Sequence, residues 1–106
     1  MGRKSLGQFE QLVLLAILRI GDDAYAVSII EEIERQTGRT VSHAAVHVAV
    51  KRMEKRGLVS SRLGEPTPQR GGRAKRYYRH SADAVERLKA QRDALLSMWD
   101  GLEEAR

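Results

Sequence analysis

The stretch from Phe9 to Ile20 constrains this chain more than any other, because it is apolar nearly all round. Phe9, Leu12, Val13, Ala16 and Ile20 recur at helical spacing, and Leu15, Ile17 and Leu18 fill the sides of the same helix. Such a helix is stable only when neighbours cover several of its sides, so the rest of the chain has to wrap it. At 106 residues there is material for one modest core and one fold.

The wrapping elements follow in order. Gly21, Asp22 and Asp23 end the first helix. A second, amphipathic helix is predicted from about Tyr25 to Thr37, with Tyr25, Ile29, Ile30 and Ile33 inward and Glu31, Glu32, Glu34 and Arg35 outward. Gly38 suits the position after a helix end, where φ turns positive. After a short extended connector, Arg39 to Val41, Ser42 is placed to cap a third helix running to Arg56, with Gly57 as its stop. Val46, Ala49, Val50 and Met53 give that helix an apolar stripe. His43, His47 and Lys51, at i, i+4 and i+8, line the other side, with Arg52 and Lys55 beside them.

Leu58 to Leu63 and Lys75 to His80 read as two short strands, since β-branched or aromatic residues alternate there with polar ones. Tyr78 is expected to face the core, and Lys75, Tyr77 and Arg79 the wetter face. The connection between the strands, Gly64 to Ala74, is rich in turn residues and carries Arg70 and Arg73 near its end, with Lys75 and Arg76 at its base. Ser81 caps a fourth helix from Ala82 to about Leu102. Val85, Leu88, Arg92, Leu95, Trp99 and Leu102 are spaced as a heptad seam with one charged interruption. A small chain does not easily bury so long a seam on itself. Self-association is the economical reading, and packing back onto the first helix is the alternative.

Charge is segregated along this layout. The chain carries +5 overall, yet Ser42 to His80 alone holds ten Lys/Arg against two Asp/Glu, flanked by segments of slightly negative balance. That asymmetry points to a polyanion, with a merely solvated cationic face as the bland alternative. Cysteine is absent, which excludes disulfides and thiolate metal sites, and three histidines without a cysteine partner are a poor zinc set, so neither disulfides nor a zinc site is expected. No cofactor is expected either. No apolar run reaches the length of a membrane span, and Met1 to Ser5 lacks a secretory apolar stretch, so a soluble cytoplasmic protein is expected. Nucleophile motifs and strand-to-helix phosphate loops are missing, which argues against an enzyme.

The expected architecture is mainly α with a small β-hairpin wing: a winged helix-turn-helix over residues 1–80 plus a C-terminal dimerisation helix over 81–106. A unit of this kind reads DNA with a helix narrow enough for the major groove, a preceding helix that braces it, and cations near the phosphates. The third helix and the hairpin meet those needs.

Several separated runs resemble the PadR-like transcriptional regulators. They are Leu6-Gly7-Gln8-Phe9-Glu10, the Gly21-Asp22 turn followed by Ala24-Tyr25, the Thr37-Gly38-Arg39 junction, Arg52 through Gly57-Leu58-Val59, and Gly64-Glu65-Pro66 through Gly71-Gly72-Arg73 to Tyr77-Tyr78. The likeness runs from Leu6 to about Leu102, and the single closing helix looks like the shorter branch of that family. It implies a dimeric transcription factor, usually a repressor, whose recognition helix and wing bind double-stranded DNA and whose last helix holds the homodimer. Ser42, His43, His47, Lys51 and Arg52 then fall on the recognition helix, and Arg70, Gly71, Gly72, Arg73, Lys75 and Arg76 on the wing and its base. Val85, Leu88, Leu95, Trp99 and Leu102 fall on the dimer seam. The family commonly has an aromatic where His47 stands and an acidic or polar residue at Lys51, so its base preference does not transfer. It also commonly has glycine at Ala26 and leucine at His80.

These residues have competing readings. His43 and His47 serve equally well as groove contacts or as surface histidines, and Arg52 as a DNA contact or as the partner of an acid on a neighbouring helix. Trp99 reads first as a packed interface anchor. The sharper reading, which some relatives exemplify, is a pocket between subunits formed by Leu95, Met98 and Trp99 for a small planar aromatic effector. The competing function is a winged-helix protein interaction module with little DNA affinity of its own.

Overall fold

A computed structural model describes residues 5–65 and 74–102. The order is α1 (Gln8–Ile20), a 3-10 turn (Gly21–Asp23), α2 (Ala26–Thr37), α3 (His43–Lys55), β1 (Val59–Leu63), β2 (Arg76–His80) and α4 (Ala82–Trp99). The fold class is the one expected, with element boundaries within a few residues of those read from the sequence.

Helix α1 is the centre of the molecule. Val13, Leu14, Ala16 and Ile17 are buried, with Phe9, Leu12, Leu18 and Ile20 packed around them. Ile29, Ile30 and Ile33 of α2 and the stripe Val46, Ala49, Val50 and Met53 of α3 close over it. Leu58 lies just ahead of β1 and is fully buried, so it belongs to the core and not to the strand. Fully burying one such side chain stabilises by roughly 1.5–3 kcal/mol. The strands pair antiparallel with Ser61 opposite Tyr78, and Tyr78 leans on the core as expected. Burial, with the Glu54 charge second, raises the pKa of Tyr78 above its usual value. The Tyr78 amide donates to the Ala24 carbonyl at 2.8 Å, so the segment before α2 runs beside β2.

Helix ends follow local chemistry. Tyr25 precedes α2 instead of joining its inner face, and the Ser28 hydroxyl accepts its amide at 2.9 Å. Gly38 ends α2 at φ 75°, and Gly57 follows α3 at φ 74°, both in the left-handed region that glycine occupies freely. Ser81 caps α4 by accepting the Ala84 amide at 3.1 Å. That helix ends at Trp99, short of Leu102.

Two expectations need correction. Glu32, assigned to the outer face of α2, is buried. It sits where α2 meets α1 and is held by Arg35, by Arg19 Nε at 2.7 Å and by Gln36 Nε2 at 3.0 Å. Those hydrogen bonds, Arg35 first and Arg19 next, lower its pKa from 4.5 to about 2. Leu88, assigned to an intermolecular seam, is buried in the chain's own core with Ala84. At the next turn the Gln91 side chain accepts the Leu6 amide at 2.7 Å and donates to the Leu6 carbonyl at 3.1 Å, tying the N-terminal segment to α4.

Because the folded pKa of Glu32 lies below its ordinary value, the carboxylate stabilises the fold fully above pH 4.5 and loses that contribution as pH falls towards about 2. Thermal unfolding of Glu32→Gln should therefore show a lower Tm than wild type at pH 7, with the gap closing between those two pH values.

Candidate nucleic-acid interface

Helix α3 spends one face on the core and leaves the other to solvent. Val46, Ala49, Val50 and Met53 are buried, so helical geometry forces His43, His47 and Lys51 outward as one row. All three are exposed, as are Arg52 and Lys55 beside them. Ser42 sits at the N-terminal end of the row, its hydroxyl accepting the Ala45 amide at 3.1 Å. Arg52 makes no ion pair among the described residues. The bond to a neighbouring helix belongs instead to Arg56, whose Nη1 lies 3.6 Å from Glu10 of α1.

The hairpin stands beside this face. Arg76 is exposed and donates to the Ser61 hydroxyl at 3.0 Å, which in turn donates to Glu54 of α3 at 2.8 Å, so a short polar chain ties both strands to α3. Lys75 is exposed and lies with its Nζ 4.3 Å from the Tyr25 ring centroid. Tyr77 is half-buried on the same outer face of the sheet. Arg70, Gly71, Gly72 and Arg73, assigned to the wing tip, lie outside the described residues.

Sequence reasoning passed over some neighbours of these residues. Ala44 and Val48 lie one position beyond His43 and His47 and are exposed, Val48 at 48%. An exposed valine on a helix with its own apolar stripe is what a thymine methyl would contact. Its position off the Val46/Val50 line was the available signal. Arg39, in the turn before α3, is exposed, with its guanidinium 5.6 Å from the Phe9 ring centroid. Arg62 on β1 was also missed, although it falls inside the basic segment.

The seam on α4 divides. Val85 is half-buried and Leu88 internal, whereas Leu95, Met98, Trp99 and Leu102 are 62%, 75%, 51% and 48% exposed. Leu96, not assigned from the sequence, is 59% exposed and widens that apolar end. A second apolar surface runs between α1 and α2, where Leu12, Leu15, Leu18 and Ile33 line a groove of about 250 Å³. Among the described residues no group of His, Cys, Asp or Glu is arranged to hold a metal ion, and no helix is long and apolar enough to cross a membrane.

Comparison with known proteins bears on this geometry. Residues 14–90 match the model of the transcriptional regulator PadR-like family. Among solved structures, a transcriptional regulator from Clostridium thermocellum is 21% identical, with 92% of this chain and 89% of that one covered at a TM-score of 0.71. A PadR-like transcription factor from Bacteroides fragilis is 18% identical, covers 94% and 91%, and has a TM-score of 0.73. A PadR family transcription regulator from Clostridium difficile is 19% identical over 91% and 96%, at a TM-score of 0.68. These likenesses concern the fold. No curated protein matches the chain.

The cap of α3 is testable alone. Ser42→Ala removes the acceptor of the Ala45 amide and is expected to destabilise the fold by about 1 kcal/mol. Lys51→Ala, on the exposed row, should leave stability within about 0.5 kcal/mol of wild type. Denaturant unfolding midpoints check both.

Proposed function

Since this chain belongs to the transcriptional regulator PadR-like family, whose members are DNA-binding transcriptional regulators and not enzymes, we propose that it represses transcription in the cytoplasm by binding an inverted-repeat operator as a homodimer. The observation that carries this reading is the exposed row His43, His47 and Lys51, with Arg52 adjoining, on a helix whose opposite face is buried. The row enters the major groove and reads base edges, while Lys75, Arg76 and the wing residues Arg70, Gly72 and Arg73 engage phosphates on the flank. Repression then follows from occupancy, since a dimer seated on a promoter excludes other proteins from it.

The dimer is supported by the apolar end of α4. Leu95, Leu96, Met98, Trp99 and Leu102 expose more large apolar surface in one place than a solvated helix normally carries. A twofold pairing of that end buries it on both copies at once. Two recognition helices so related would meet half-sites about 34 Å apart, or a multiple of that distance. Trp99 anchors the contact, and a planar aromatic effector stacking beside it with Leu95 and Met98 would change the separation of the two recognition helices. By linkage, such an effector would weaken DNA binding by the same factor by which DNA weakens its own binding.

Three experiments test this function. Selection of binding sites from random duplex DNA at fixed salt should enrich an inverted repeat, and a Lys51→Ala/Arg73→Ala double variant should lose the enrichment. Absence of enrichment in both would favour a protein interaction module. Second, Trp99→Ala should weaken self-association by about 2 kcal/mol or more, roughly 30-fold, in sedimentation equilibrium. Planar aromatics that neither quench Trp99 fluorescence nor release DNA would remove the effector from the scheme.

A further inference from the structure

The root of the hairpin holds an arrangement that neither the recognition row nor the α4 seam uses. The Tyr25 and Tyr77 rings meet edge to face, with centroids 5.7 Å apart and planes at 69°. Each ring carries a cation on its face. Lys75 Nζ lies 4.3 Å from the Tyr25 centroid, and the Arg62 guanidinium carbon 4.7 Å from that of Tyr77. Arg62 also donates to the Asp22 carbonyl at 3.4 Å. The far edge of the Tyr77 ring rests on Gly64. A Cβ at that position would stand 2.5 Å from Tyr77 Cε2, well inside the separation at which carbon atoms pack.

Gly64 is where the chain leaves β1, and its amide donates to the Lys75 carbonyl at 2.8 Å, closing the hairpin. Between these two residues in sequence lie Arg70 and Arg73, so whatever orients Gly64 and Lys75 orients the start and end of the wing. An isolated two-stranded hairpin is marginal in water and does not hold a direction alone. Here the Tyr78 amide bond to the Ala24 carbonyl and the Arg76–Ser61–Glu54 chain anchor the inner part of the hairpin, and at its outer end a ring is wedged between the wing root and the residue that opens α2.

We propose that Tyr77 is a positioning residue for DNA binding: with Tyr25 and Gly64 it forms a latch that fixes the wing to the start of α2 and presents Arg62 and Lys75 together to the DNA backbone. This rests on the regulator reading above and deepens it. The rings hold two long cationic side chains extended against flat surfaces, so less rotamer freedom remains to be lost when a phosphate arrives. Glycine at position 64 follows from the same contact, because any side chain there would push the ring off its seat. Arg62 thus joins the DNA-contacting set through the ring that supports it.

Two variants of the full chain test the latch: Tyr77→Leu, which removes the ring, and Gly64→Ala, which displaces it. Tyr25→Leu substitutes for either if it fails to fold. Amide hydrogen exchange at position 64, measured on DNA-free protein, should quicken by about ten-fold while Tm shifts by only a few degrees. On the selected operator, affinity should fall about ten-fold and hydroxyl-radical protection should fade on the flanks while persisting at the centre. Arg62→Gln should lower the slope of log affinity against log salt by about one. Unchanged exchange in the folded variants overturns the latch whatever the DNA result. Faster exchange with an unaltered footprint overturns its part in DNA binding. A wild-type protein that protects no DNA overturns the regulator reading itself, while the exchange data still report separately on the latch.

Discussion

Everything in this fold depends on the burial of α1. A helix with Val13, Leu14, Ala16 and Ile17 all buried and Phe9, Leu12, Leu18 and Ile20 packed around them needs walls from several other elements, and only the Leu15 and Arg19 side is left to water. Helices α2 and α3, the buried lead-in to β1 and the first turns of α4 each contribute a wall. The apolar stripe of α3 in particular is used up in this way. The cationic row of α3 is exposed for that reason: turning Val46 and Val50 inward leaves His43, His47 and Lys51 no other direction. The proposed binding surface is in this sense the outer side of the core.

Periodicity was legible wherever one helix face decided the outcome. The stripe on α3, the glycine stops at Gly38 and Gly57, and the serine caps at Ser42 and Ser81 all depend on residues within about one turn of each other, and all stand where the spacing puts them. The faces of the returning strand were legible too, because alternation assigns Tyr78 inward, where it packs on the core, and Tyr77 outward.

What escaped were interactions between residues far apart in the chain. Glu32 looks solvated on a helical wheel, flanked as it is by Glu31 and Glu34. Its burial depends on Arg19, on a different helix, whose reach no local pattern reveals. The same holds for Leu88 and Gln91. A heptad reading treats α4 as one continuous surface, yet the Leu6 backbone, 85 residues away from Gln91, marks where that surface changes owner. Tyr25 and Tyr77 were assigned to separate elements, and the contact between them exists only because the Ala24 carbonyl accepts the Tyr78 amide and brings the two segments side by side.

The division of α4 ties the proposed dimer geometry to the core. At 1.5 Å per residue the helix is about 27 Å long, and its first turns are fixed by Ala84, Leu88 and the clamp between Gln91 and Leu6. From Arg92 onward it is exposed, so its direction as it leaves the domain is set by those few contacts and by its own stiffness. If two copies join through Leu95, Met98 and Trp99, the distance between their recognition helices is the sum of two such rigid arms, each rooted in the core beside α1. A small change in angle at Gln91 is then magnified along the arm. In such a dimer, core packing, usually treated as the background to recognition, would set which half-site spacing is accepted.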